Sequence, residues 1–215
     1  MHPLVQKLGR ALGANDRSPT VLVRKVARNA TALVRATVVL RELDHVGARA
    51  RGFGGAHVVN AGVIAAGDDL TFGGRFGVVG LASGAGATLM LGDRVTINYG
   101  SFLSAVREVV IDDDVMVGPY CIITDGDGPV ATDDARPIYI GPNVWLAARV
   151  VVRPGARIGA GAVISAGSVV EGDIPANAVA SGCPARVLRI HEGDHGRGDT
   201  ESGKTRSPVA RIRRR

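Results

Sequence analysis

Aromatic side chains are scarce, at 4% of 215 residues with one tryptophan, Trp145. That composition argues against a core of large rings and suits a narrow interior of Val, Ile, Leu and Ala. Cysteine is equally sparse. Cys121 and Cys183 cannot make a dense disulfide framework, so a reducing, cytoplasmic setting is the expectation. No run of 18 apolar residues suggests a membrane span, and the N-terminus carries no signal-peptide pattern. Histidine is missing from the whole stretch between His57 and His191. The net charge of +6 is uneven. Residues 1–51 carry ten Lys/Arg against three acids and residues 192–215 seven against four, while the middle carries nine against thirteen. A mildly acidic body argues against nucleic-acid binding, and the basic flanks allow at most weak peripheral contact with an anionic membrane.

What is present in quantity is glycine, 30 residues, and a period of six. Ile140, Leu146, Val152, Ile158, Ile164 and Val170 follow one another at six-residue steps. A small or branched residue stands four places after each: Val144, Val150, Ala156, Ala162, Ser168 and Ile174. Six is neither the strand period of 2 nor the helix period of 3.6; it marks a solenoid of six-residue faces, with rungs of eighteen. The same step appears at Val58, Ile64 and Leu70, at Leu91, Ile97 and Leu103, and at Ile111, Val117 and Ile123. Residues 50–90 read as degenerate coils, interrupted by Gly73-Gly74 and by Ser83-Gly-Ala-Gly.

The fold class expected is an all-β solenoid of hexapeptide repeats, with an N-terminal α-helix and a disordered C-terminal tail. Ser18-Pro19 reads as a helix start. A stripe of Leu22, Val26, Ala30, Leu33, Thr37 and Leu40 predicts a helix from about 19 to 43. It serves either as a cap over the open end of the solenoid or as a basic helix on an anionic membrane. The domain plan is a helical cap over 1–48, a solenoid over 49–190 and a loose basic tail over 191–215. The step from Ile123 to Ile140 is too long for one face, so residues 124–137 leave the body as a loop with several Asp. Such an excursion often marks the binding side of a repeat protein; a solvated loop without a role is the other reading. Cys121, just before it, has no neighbouring His or Lys in sequence to make a thiolate, and reads as a small buried residue rather than a nucleophile.

Three stretches, DRVTINYGSFLSA, VMVGPYCIITDGDG and the run from IGPNVW to CPARVLR, resemble the hexapeptide-repeat O-acetyltransferases, in particular the maltose, galactoside and sugar or capsule branch. The resemblance spans about residues 45–190. It implies a left-handed parallel β-helix, a homotrimer with sites between solenoids, acetyl-CoA as co-substrate and a hydroxyl of a sugar or small metabolite as acceptor, with no metal. Zinc enzymes of this architecture need three histidines, and His57 is the one histidine within the coils. Asn98 matches the family asparagine that orients the acceptor. Ala148 and Ala166 match small residues along the pantetheine path, and Arg186 and Arg189 match basic residues near the nucleotide.

The chain departs from the pattern where the family places its general-base histidine. Those positions hold Gly128 and Pro129. The common Thr-Lys before Asp-Ile-Pro is Glu171-Gly172. Three readings accommodate the loss. A loop carboxylate, Asp125 or Asp127, acts as base after its pKa is raised. Binding and orientation alone suffice for a nucleophilic acceptor. Or the protein is a catalytically silent trimer, a binding or scaffold subunit.

Overall fold

The computed structural model describes residues 30–34, 36–74, 76–126 and 134–191. Over them the chain winds as a left-handed parallel β-helix of three faces. The first face stacks His45–Val46, Val63–Ala66, Thr88–Leu91, Glu108–Ile111, Ile138–Ile140, Arg157–Ile158 and Asp173–Ile174. The second stacks Arg51–Gly52, Thr71–Gly73, Thr96–Asn98, Met116–Val117, Trp145–Leu146, Val163–Ile164 and Ala178–Gly182. The third stacks Ala56–Asn60, Val79–Ser83, Phe102–Ala105, Ile122–Thr124, Val151–Val152 and Val169–Val170. The last strand, Ala185–Ile190, turns back antiparallel on Ala178–Gly182 and closes the second face.

The six-residue steps are the inward column. Ile140, Leu146, Val152, Ile158, Ile164 and Val170 are buried, as are all six residues four places on. Rungs of eighteen hold only where the hexads are unbroken, as from Tyr139 to Arg157 and from Trp145 to Val163. Elsewhere the corners change the length. Partners stand twenty apart at His45 and Ala65, twenty-five at Ile64 and Leu89, and sixteen at Arg157 and Asp173. Residues 50–90 therefore form complete coils, with Ile64, Leu70, Leu81 and Leu89 fully enclosed. Their repeat is hidden because extra corner residues shift the count without shifting the stack.

One ring does enter the interior, against expectation. Phe72 is 1% exposed. It fits because Gly52 lies beneath it on the neighbouring coil, where a Cβ would stand 2.7 Å from the ring.

The N-terminal helix is present at residues 30–34 and 36–39 and tightens into a 3-10 turn at Leu40–Glu42. The start expected near 19 and its Ser18-Pro19 signal lie outside the described residues, as does the expected tail over 192–215. The buried stripe differs from the predicted one. Ala32, Ala36, Leu40 and Leu43 face inward, while Leu33 is 43% exposed and Thr37 donates its hydroxyl to the Leu33 carbonyl. Ala36, Leu40 and Leu43 pack against the core of the solenoid, while Leu33 lines an open groove with Val46, Gly47 and Ala50. Asn60 pins the junction, donating to the Glu42 carbonyl and to the Asp44 carboxylate. No helix among the described residues is long and apolar enough to cross a membrane.

The corner between the first and second faces is held by charge. Arg49, Asp69, Arg94, Asp114, Asn143 and Asn177 sit there at φ between 57 and 62°. Asn and Asp tolerate this left-handed region better than most residues. The two arginines keep it by bidentate bonds to the next coil: Arg49 to Asp69 at 2.9 and 2.6 Å, Arg94 to Asp114 at 2.7 and 2.7 Å. Alongside, the carboxylates of Asp68, Asp93 and Asp113 each accept a backbone N–H from the preceding coil.

Gly52→Ala is expected to destabilise by about 1–3 kcal/mol through overpacking. The double variant with Phe72→Leu should recover most of the loss in a thermal-melt cycle. At the corner, the bonds from Arg94 hold the Asp114 carboxyl below its usual range. The resulting stability is present above the unfolded carboxyl value of about 3.9 and is lost as pH falls toward the lower folded value. Asp114→Asn should therefore lower Tm at about pH 7, and the difference from the parent should shrink steadily as pH falls below about 3.9 toward the lower folded value.

Candidate functional site

The excursion leaves the body at the corner between the third and first faces. Ile111 pairs with Ile140, a step of twenty-nine residues. The strands on either side stay in register, so the extra chain is a true insertion. Its root is closed by Arg136, whose N–H donates to the Asp125 carbonyl at 3.0 Å.

Asp125 itself is fully buried. Its carboxylate accepts the backbone N–H groups of Val106, Arg107 and Glu108 at 2.7, 2.9 and 2.6 Å. Both oxygens are thereby committed to the turn of the coil below. Asp125, expected as a loop base, is held here as a staple, its carboxylate supplying the acceptors that three amides at this corner need. Asp127, and the Gly128 and Pro129 that stand where the family histidine falls, lie outside the described residues.

Above the root, the outer side of the third face forms a cleft of about 690 Å³. It runs across four coils, from Val59 through Ala82 and Phe102–Ser104 to Thr124 and Gly126. Val59 and Phe102 present 53% and 44% of their surface. Sequence reasoning missed this cleft. The signal was there in the outward positions of FLSA and IITD, which alternate with the buried Leu103 and Ile123. Alternation alone, however, does not say which outward residues of different coils adjoin.

The other predicted residues sit elsewhere. Asn98 ends its strand at the corner between the second and third faces. Its side-chain amide donates to the Val117 carbonyl of the next coil at 2.9 Å. Ala148 and Ala166 continue that same corner, stacked so that the Ala148 carbonyl accepts the Gly167 N–H. Beside Asn98 an edge-to-face series of rings, Phe76, Tyr99 and Tyr120, lines the corner at centroid spacings of 5.7 and 5.5 Å. Arg186 and Arg189 are exposed on the closing strand, and Arg186 donates to the Ala185 carbonyl. The structure thus gathers Asn98, Ala148 and Ala166 along one edge, with Arg186, opposite Ser181, near its C-terminal end and Arg189, opposite Val179, further back on the second face. It places Asp125 at the opposite edge of the third face from Asn98, Ala148 and Ala166, just past the end of Ile122–Thr124. His57 is exposed on that face, in the N-terminal coil.

Cys121 is enclosed beneath the same edge. Its thiol donates to the Ala147 carbonyl at 3.0 Å, and burial pushes its pKa up. A thiolate is disfavoured there, which fits a packing role.

The profile of the family described as "Bacterial transferase hexapeptide (six repeats)" matches residues 137–172. WbbJ of Escherichia coli K12, which carries the name of a lipopolysaccharide biosynthesis O-acetyl transferase, is 32% identical over 152 residues. That match covers 62% of this chain and 74% of the relative. The chain belongs to the hexapeptide-repeat acyltransferase family. It is also 36% identical over 111 residues to the galactoside O-acetyltransferase of Escherichia coli K12. This hexapeptide-repeat chain spans only 55% of that relative's length and covers 48% of its own. The fold is shared with an N-acyltransferase, AntD of Bacillus cereus, solved with dTDP and coenzyme A. There the TM-score is 0.52 at 16% identity, over 74% of this chain and 89% of the other.

Asp125→Ala should orphan one buried and two half-buried backbone donors, so a loss of about 1–3 kcal/mol from the buried one, with smaller additions from the others, is expected in chemical denaturation. Asp125→Asn, which keeps one acceptor oxygen, should lose less. A catalytic base without a structural duty would show the opposite pattern, with activity lost and stability kept.

Proposed function

We propose that the protein transfers an acetyl group from acetyl-CoA to a hydroxyl of a sugar or small metabolite, and works as a cytoplasmic homotrimer. The observation that carries this reading is the shared register of the coils: Asn98, Ala148 and Ala166 fall on one solenoid edge, ending at Arg186, with Arg189 further back on the same closing strand. Small side chains there leave backbone open to a long thin pantetheine, and the guanidinium groups suit phosphates. The acceptor oxygen attacks the thioester carbonyl. The tetrahedral intermediate collapses, the C–S bond breaks, and CoA leaves as the thiolate that takes up the proton lost by the hydroxyl. With Asp125 held by amides, Asp127 is the remaining loop carboxylate put forward to carry that proton, a contribution of roughly 10²–10⁴-fold for a well-placed base.

A specific observation favours the second reading, a catalytically silent trimer that binds or scaffolds. The described residues lining the cleft include no His, Lys, Asp or Glu. Titration calorimetry with acetyl-CoA and with CoA separates the two, together with thiol release in the presence of acceptors. The enzyme reading expects binding that weakens at least tenfold in Arg186→Ala, and turnover that falls in Asn98→Ala and Asp127→Asn. Binding without thiol release would favour the silent reading. Absence of binding would overturn both the cofactor and the reaction. A rate unchanged in Asp127→Asn would remove the carboxylate base alone.

A further inference from the structure

The outer cleft of the third face is unlike a pocket for a bare sugar. A hexose brings four or five hydroxyls, each needing a partner once water is displaced. Among the described lining residues none is charged and none carries an amide side chain. Three carry hydroxyls. Ser83 donates to the Ala87 carbonyl at 3.0 Å and Thr124 to the Gly126 carbonyl at 2.6 Å. The Ser104 hydroxyl has no hydrogen-bond partner among the described residues. Backbone groups of these strands are taken by the ladders to neighbouring coils. The cleft can therefore serve one hydroxyl well and an apolar body beside it.

The apolar part is shaped by backbone. Phe102 lies against Gly80 of the preceding coil, where a Cβ would come within 2.5 Å of its ring. The missing side chain lets the ring lie close over the face, next to Val59 and Ala82. Ile122, 43% exposed, extends the surface to the following coil.

We infer that the cleft takes the apolar part of an acceptor, a body about the size of a phenyl ring or a medium alkyl chain, with Phe102 bearing that body and Ser104 meeting one polar group beside it, while Asn98 keeps the reacting hydroxyl. This rests on the acyl-transfer reading above and narrows its acceptor. A buried methylene is worth roughly fourfold in binding, so even partial burial of an octyl chain should be large.

The test compares octyl glucoside, kept below its micelle concentration, with methyl glucoside on the full chain, using acetyl-CoA and thiol release. The expected result is a kcat/KM at least about thirtyfold higher for the octyl compound. Phe102→Ala should shrink that ratio at least fivefold, and Ser104→Ala should lower kcat/KM for the octyl compound. Thermal melts of both variants report folding. Equal rates for the two glucosides, or a ratio that survives Phe102→Ala, would overturn the inference. So would a gain that appears only when octanoyl-CoA replaces acetyl-CoA, since the cleft would then hold the donor's acyl chain. Equilibrium binding of both glucosides is measured in parallel. Phe102-dependent preference for the octyl compound without thiol release sinks acyl transfer and leaves the apolar site standing. No octyl preference in binding sinks the apolar site, whether the face is closed by a second copy or simply does not bind.

Discussion

Each coil is fixed by the one next to it. Parallel strands spaced about 4.8 Å apart bring every inward side chain onto its counterpart, and every backbone N–H onto a carbonyl of the next turn. The bonds from Gly67 to Leu91, Gly92 to Ile111, Gly118 to Leu146 and Gly159 to Ile174, all 2.8–2.9 Å, show how uniform the stack is. Once that register is set, a corner residue has little freedom. It must turn the chain in a left-handed conformation, fit under its neighbour and give up its polar groups locally. The Arg–Asp rungs at one corner and the buried Asp125 at another are two answers to that demand.

The same constraint decides where chemistry can be placed. Interior positions are committed to packing and most backbone to ladders. Function is left to outward side chains on adjacent coils, and to insertions at corners that do not disturb the stack. Here the insertion springs from the corner beside the third face, and the cleft forms on that face. The edge bearing Asn98, Ala148 and Ala166 lies on its far side. Asp125 illustrates the division: a carboxylate at the root of the insertion is taken up by three backbone amides and holds that root.

The C-terminal coils were legible because six unbroken hexads leave one explanation for aliphatic residues at that spacing. The earlier coils were harder to read. Phe72 breaks the rule of small interiors, and only Gly52, twenty residues earlier, makes room for it. The helix was legible as a helix, but its buried face was not, because Leu33 and Ala32 differ by one position and sequence spacing does not choose which of them is enclosed. The cleft was hidden for a related reason. Val59, Ala82, Ser104 and Thr124 are neighbours through register, and corner insertions of unequal length scramble that register in one dimension.

The sequence by itself determined that the chain is a solenoid, that the loop over 124–137 is extra to it, and that the usual histidine is absent. These are properties of spacing and identity, carried by residues close together along the chain. Tertiary structure alone decided that Asp125 is a staple, that Asn98 and the loop root stand on opposite edges of one face, and that four coils share an apolar cleft. Those are properties of adjacency between coils, which arise only when ladders and corners bring distant residues side by side.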